Sequence, residues 1–179
     1  MSATTTIQQV PTGTYNVDPV HSTFGFAIKH NGVSTFRGQF EQVDAKLEDG
    51  VLTGTAQVES IKTAIPDLKG HLLSPDFFNA EQTPTVTFRS TDIRIADGRD
   101  GEVEVDGELT IRGITKPVTA SGTIAYGTGI SGAEVVGFDL EAKVDRREYG
   151  LNWQAELPKG GEVLGWDVVL EVHLELPQA

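Results

Sequence analysis

Along most of this chain polar and apolar residues alternate with a period of two, the spacing of a β-strand whose side chains point in turn to opposite faces. The clearest case runs from Tyr15 to Phe40, YNVDPVHSTFGFAIKHNGVSTFRGQF. Ser22, Phe24, Phe26, Ile28 and His30 share one parity, and His21, Thr23, Gly25, Ala27 and Lys29 share the other. One strand face is therefore aromatic and aliphatic and ends in an imidazole. Asn31-Gly32 follows at once, a strong hairpin signal, and the returning strand carries Phe36 and Phe40 on one parity. The same alternation predicts strands near 14–30, 33–48, 51–60, 84–95, 102–112, 117–127, 134–146 and 162–176. Asp49-Gly50, Asp97-Gly98 with Asp100-Gly101, and the Gly127–Gly132 stretch supply turns between them.

Two stretches leave this period. Residues 61–83 carry Pro66, Pro75 and mixed apolar spacing, and predict two short helices, one beginning at Pro66-Asp67 and one at Ser74-Pro75-Asp76, within an insertion over about 64–80. Arg147 to Gly161, with Pro158 and Gly160-Gly161, predicts a longer loop containing Trp153. The Thr- and Gln-rich residues 1–13 predict a flexible tail ahead of one domain over 14–179. No internal repeat interrupts that domain.

Large aromatic side chains gathered on one sheet face must be buried, either against each other or against a ligand. The last strand repeats the pattern of the first, with Leu164, Trp166, Val168, Leu170, Val172, Leu174 and Leu176 on one face. Two long amphipathic terminal strands favour closure over an open sheet with two bare edges. The fold class is therefore all-β, an eight-stranded antiparallel barrel with a short helical insertion; a filled sandwich is the competing architecture. The interior of an eight-stranded barrel is either just filled by side chains or holds one small ligand. If the apolar parity faces inward, Phe24, Phe26, Ile28, Phe36, Phe40, Val86, Phe88, Phe138, Leu140 and Trp166 line a lumen.

Composition narrows the function. Twenty-six acidic against fourteen basic residues give a net charge of −12, which repels nucleic acid and anionic membrane surfaces. Cysteine is absent, excluding disulfides, thiolate metal sites and a cysteine nucleophile. The N-terminus lacks a basic region followed by an apolar run, and no apolar stretch approaches the ~18 residues of a membrane span. The expectation is a cytoplasmic protein, periplasmic or extracellular only if a leader has been removed, with no stable membrane insertion and a homodimer as a further expectation.

Asp18, His21 and Ser22 suggest a catalytic triad, but adjacent strand residues point to opposite faces, so His21 and Ser22 do not share a proton. A Gly-x-Ser-x-Gly elbow is missing, and the four histidines follow no zinc spacing. No metal and no cofactor is expected. His30 at the end of the aromatic face, His71 in the insertion, and Arg146 at a strand end are candidates for holding a polar head group at the barrel mouth, because imidazole and guanidinium donate to phosphate or carboxylate. Phe77 and Phe78 join them; on a short helix one of the two faces the core and the other a ligand or partner.

Four blocks carry a family resemblance. They are Y-N-V-D-P-V-H-S-T-F-G-F-A-I-K-H at 15–30, G-H-L-L-S-P-D-F-F-N-A at 70–80 followed by P-T-V-T-F at 84–88, G-E-L-T-I-R-G-I-T-K-P-V at 107–118, and R-R-E-Y-G-L at 146–151. In this order they resemble the YceI-like family. Departures are small: Gly25 and Ala27 are lean for a first strand, and Tyr149 stands where phenylalanine is commoner. The resemblance implies a lipocalin-like extended barrel and the binding of isoprenoid lipids such as polyprenyl phosphates or quinones, or of fatty amides and acids, without catalysis. Many family members are periplasmic, from which the missing leader departs. The expected function is thus non-enzymatic binding, sequestration or transport of an amphipathic lipid. The alternative is a filled β-barrel acting as a stress-related interaction or structural protein with no lipid ligand.

Overall fold

In the computed structural model, which describes residues 9–96 and 101–179, eleven antiparallel strands form one curled sheet with a single α-helix. The strands are β1 (Thr14–Asn16), β2 (Thr23–His30), β3 (Ser34–Phe40), β4 (Val43–Glu48), β5 (Val51–Gln57), β6 (Ile61–Lys62), β7 (Thr85–Ile95), β8 (Glu102–Ile111), β9 (Ile114–Thr128), β10 (Glu134–Asp145) and β11 (Leu164–Pro177). Their order in the sheet is β1-β4-β5-β7-β8-β9-β10-β11-β2-β3-β6. The Asp97-Gly98 turn signal, Asp100, and residues 1–8 of the expected tail lie outside the described residues.

The count of eleven corrects the expected eight, because two predicted strands divide and a short one is added. Pro19 has no N–H for the ladder, and Asp18 Oδ1 accepts from Val20 N at 2.9 Å in a side-chain turn, so 14–30 divides into β1 and β2. Around Glu41-Gln42 the chain exchanges partners: Glu41 N bonds Ser60 O and Gln42 O accepts from Gln57 N, dividing 33–48 into β3 and β4. The two-residue β6 then pairs with β3. The two ends of the sheet are joined by the chain itself, because β3 runs on into β4. β1 lies along β4 and bridges Gln178 through Tyr15, while β2 lies along β11 and β3. The result is an all-β antiparallel barrel.

Asn31 and Gly32 have φ of 54° and 70°, and Asp49 and Gly50 of 47° and 81°, the left-handed pair that a tight hairpin requires. Arg112-Gly113 makes a third such turn, with φ of 53° and 73°, so β9 begins at Ile114 rather than near 117. Before β1, Val10 packs on the core and Asp49 N donates to Gly13 O at 3.0 Å.

One α-helix forms rather than two. α1 (Pro66–Leu73) has proline at its start, where the missing N–H is harmless, and stops at Ser74, the residue before Pro75. Ser74–Asn79 is a chain of turns, with Phe77 N and Asn79 N both donating to Ser74 O.

The barrel is packed unevenly along its length. At one end Tyr15, Leu47, Val105, Val136, Phe138 and Leu176 are 0–1% exposed and fill the interior. Tyr126 Oη donates to Glu134 Oε2 at 2.6 Å beside Tyr15 Oη. At the other end Phe24, Phe26, Val86 and Phe88 stay only half-buried though they face inward, because part of each borders an open cavity.

Candidate ligand-binding cavity

The unfilled half is a cavity of about 540 Å³, within the usual range of roughly 300–1,000 Å³ for small-molecule sites. Its walls are almost wholly apolar. A specific device keeps it open. A Cβ added to Gly38 would lie 2.3 Å from Phe26 Cζ, one on Gly107 2.4 Å from Phe88 Cζ, and one on Gly54 3.2 Å from the Phe24 ring. Each ring therefore occupies space that a neighbouring side chain would otherwise take, and lies along the wall instead of projecting across the lumen. Phe26 and Gly38 are directly paired across β2 and β3, an arrangement in which the ring covers the glycine backbone.

Of the residues expected to line a lumen, Phe24, Phe26, Ile28, Phe36, Phe40, Val86, Phe88 and Leu140 are on this wall. Phe138 and Trp166 are not. Phe138 has the right parity but sits one step deeper on β10, inside the filled end, at 1% exposure. Trp166 lies where the β11–β2 register shifts between Leu164 and Val168, so strict alternation fails there. Its ring instead packs under the guanidinium groups of Arg146 and Arg147, 4.2 and 4.8 Å from the ring centroid.

The cavity reaches the surface between the β2–β3 hairpin, which contributes the exposed His30, Ser34 and Thr35, and α1, which contributes Leu68 and His71. His71 Nε2 is 3.0 Å from Asp76 Oδ2, and its ring meets Phe77 and Trp153 edge-on at 4.8 and 5.1 Å. Phe77 and Phe78 both line the cavity. The expectation that helical geometry would separate them fails because they stand on a turn, and Phe78 makes edge contacts with Phe26 and Phe40 at 6.2 and 5.7 Å.

Arg146 also borders the cavity and is only 3% exposed. It sits in the short 3₁₀ turn Arg146–Tyr149 that ends β10. Its Nε donates to Gly165 O at 2.8 Å, and its Nη1 to Trp153 O at 2.8 Å and to Leu151 O. It thereby ties the 151–165 loop to the barrel. Nη2 has no partner among the described residues. Burial lowers its pKa, partly opposed by the charges of Glu162 and Asp145. Asp145 is itself engaged by Arg147, Nη2 to Oδ2 at 2.6 Å, which holds its carboxyl down at about 2.

Wall residues not expected from the sequence include Leu72, Tyr149, Leu151 and Trp153. Their signal was absent because they lie in the helix and the long loop, where period two does not apply. Ala142 and Val144 on β10, and Val168, Leu170 and Val172 on β11, also line it; their shared parity did carry the signal. Burial pushes the Tyr149 phenol up to about 12. A raised value means that the folded state holds the proton more tightly, so this contribution is intact below the ordinary value of 10.0 and is lost as pH rises toward 12. Tyr149→Phe is expected to flatten the fall in melting temperature across that alkaline window, as followed by circular dichroism.

The Asp18-His21-Ser22 triad does not form. His21 Nδ1 lies 2.8 Å from Asp18 Oδ2, a bond that lowers the pKa of Asp18 and raises that of His21. Ser22, however, is buried away from that exposed pair, and its Oγ accepts from Glu175 N at 3.0 Å.

The YceI-like domain family matches residues 15–176. The chain belongs to the YceI-like family. A UPF0312 protein of Staphylococcus epidermidis is 35% identical over 173 residues, covering 90% of this chain and 95% of its own length. A Staphylococcus aureus relative is 32% identical over the same shares. Among solved structures, the Campylobacter jejuni YceI protein superposes with a TM-score of 0.71 at 25% identity, covering 85% of this chain and 90% of its own. A polyisoprenoid binding domain from Saccharophagus degradans superposes with a TM-score of 0.68 over 92% of this chain and 98% of its own, at 13% identity. In this YceI-like chain all four sequence blocks reach the cavity wall: 15–30 supplies Phe24, Phe26 and Ile28, 70–88 supplies His71, Phe77, Phe78 and Phe88, 107–118 supplies Leu109 and Ile111, and 146–151 supplies Arg146, Tyr149 and Leu151.

Among the described residues no helix is long and apolar enough to cross a membrane.

Proposed function

We propose that this protein binds, sequesters or carries an amphipathic lipid without transforming it, the apolar chain lying in the barrel and the polar head near His30, His71 and Arg146. The candidate lipids are isoprenoids, either polyprenyl phosphates and pyrophosphates or quinones, and fatty amides or acids. The observation that carries this reading is the aromatic-walled cavity of about 540 Å³, space that a structural barrel has no reason to leave empty. The name of the Saccharophagus degradans neighbour, a polyisoprenoid binding domain, supports the ligand class. At about 30 Å³ for each small group, the cavity accommodates on the order of fifteen to twenty carbons. Each buried methylene contributes about 0.8 kcal/mol, so even a partly inserted chain binds usefully.

Native mass spectrometry of freshly purified protein, followed by organic extraction, tests the proposal. A stoichiometric prenyl or fatty lipid is the expected result. A clean unliganded mass, with no uptake of added polyprenyl phosphate, quinone or fatty acid, overturns it and favours a protein that acts through its surface.

A further inference from the structure

We infer that the barrel measures the apolar chain of its ligand. Leu52, Leu140 and Leu174 form a floor that stops the inserted chain at about fifteen to twenty carbons, so that longer chains bind no more tightly. This rests on the cavity being a lipid site and adds a limit on chain length to that reading. The three leucines belong to both halves of the barrel. They line the cavity, yet they are only 3–5% exposed and packed within the filled end.

Beyond them the interior is closed. Phe138 and Val136 precede Leu140 along β10, Leu176 follows Leu174 on β11, and Leu47 pairs with Leu52 across β4 and β5. All four are 0–1% exposed. Further on, Tyr126 Oη and Tyr15 Oη reach Glu134 Oε2 at 2.6 and 3.3 Å, tying β1, β9 and β10 together across the filled end. A chain end arriving at the floor must stop there or part these side chains. A close-packed interior admits an added group only by displacing its neighbours, so the chain stops. The mouth between the β2–β3 hairpin and α1 is open, and the excess of a longer chain is left there in contact with water. Affinity is therefore expected to climb about four-fold with each methylene group until the cavity is full, and then to level off. The level of the floor is adjustable from both sides, because Ala120 of β9 also lines the cavity where it packs on the filled end.

The test is a homologous series. Affinities of the full-length protein are measured for straight-chain alkanoic acids from about eight to about twenty-two carbons, and for geraniol, farnesol and geranylgeraniol. A steep rise is expected, followed by a plateau that begins at about fifteen to twenty carbons. Ala120→Leu adds about three carbons to the floor and is expected to bring the plateau in by about as many. Leu174→Ala removes about three and is expected to move it out. A general loss of stability does not shift the plateau in opposite directions. An affinity that climbs at the same rate through the longest acid, or a plateau that neither folded variant moves, overturns the floor assignment while leaving a lipid-binding barrel in place. Binding of no acid and no prenyl alcohol sinks the lipid reading itself. The plateau is read on the unaltered protein, so a variant that fails to fold does not spoil the test.

Discussion

Replacing Ala142 by tryptophan is expected to lower lipid affinity by about two orders of magnitude without unfolding the barrel. Ala142 lies on the cavity wall in the C-terminal part of β10, paired with Leu170 of β11. An indole there enters space that is already empty, so it avoids the clashes that make overpacking of a filled core unfavourable. It excludes about four methylene groups of the ligand, each contributing about 0.8 kcal/mol, a loss of about 3 kcal/mol in binding. Lys143→Trp, one residue on and exposed on the outer face, controls for the added ring and is expected to bind normally. Isothermal titration with whichever lipid the protein retains, together with far-ultraviolet circular dichroism, decides the matter. A folded Ala142→Trp protein with unchanged affinity would place the ligand elsewhere.

Gly122→Ala is expected to be the most damaging of the small substitutions, through stability rather than binding. Gly122 on β9 pairs with Leu140 on β10. A Cβ at this position would fall 1.8 Å from Asp139 O and 2.8 Å from its carbonyl carbon. These are backbone atoms of the neighbouring strand, so no rotamer change relieves the overlap and the two strands must part. A loss of about 3 kcal/mol or more is expected, lowering the melting temperature by about 6–12 °C for a chain of this size. Gly127→Ala on the same strand meets nothing within 4 Å, and its effect is expected to stay within about 1 kcal/mol. Gly38→Ala is the contrasting case. Its Cβ would meet only the far end of the Phe26 ring, which can swing into the cavity, so the substitution trades lumen volume for stability.

Much of the architecture was legible before any coordinates. Period-two alternation marks the strand faces because the pleat enforces it, and Asn31-Gly32 and Asp49-Gly50 mark hairpins because few other residues accept positive φ at two successive positions. Arg112-Gly113 escaped notice because arginine is an uncommon first residue in such a turn. The splitting of two long strands was hidden in the alternation: the break at Asp18-Pro19 follows from a proline without an N–H, whereas the partner exchange at Glu41-Gln42 depends on Ser60, far along the chain.

The site divides in the same way. Parity placed Phe24, Phe26, Ile28, Phe36 and Phe40 together on one inner face, since alternation alone decides which way a strand residue points. It could not separate Leu140, on the cavity wall, from Phe138, two residues back in the filled end, since both have the same parity and differ only in depth. Trp166 was misplaced because a register shift with β2 interrupts the alternation. Whether the barrel is hollow was beyond the pattern altogether, since a packed core and a lined lumen need the same apolar residues. The sequence by itself determined the all-β class, which residues share a strand face over most of the chain, and the resemblance to the family. Only the tertiary structure decided that Gly38, Gly54 and Gly107 lie against Phe26, Phe24 and Phe88, and that Arg146 is buried with one nitrogen unpartnered. Both depend on register and on contacts across the sheet and the long loop, quantities that no local period contains.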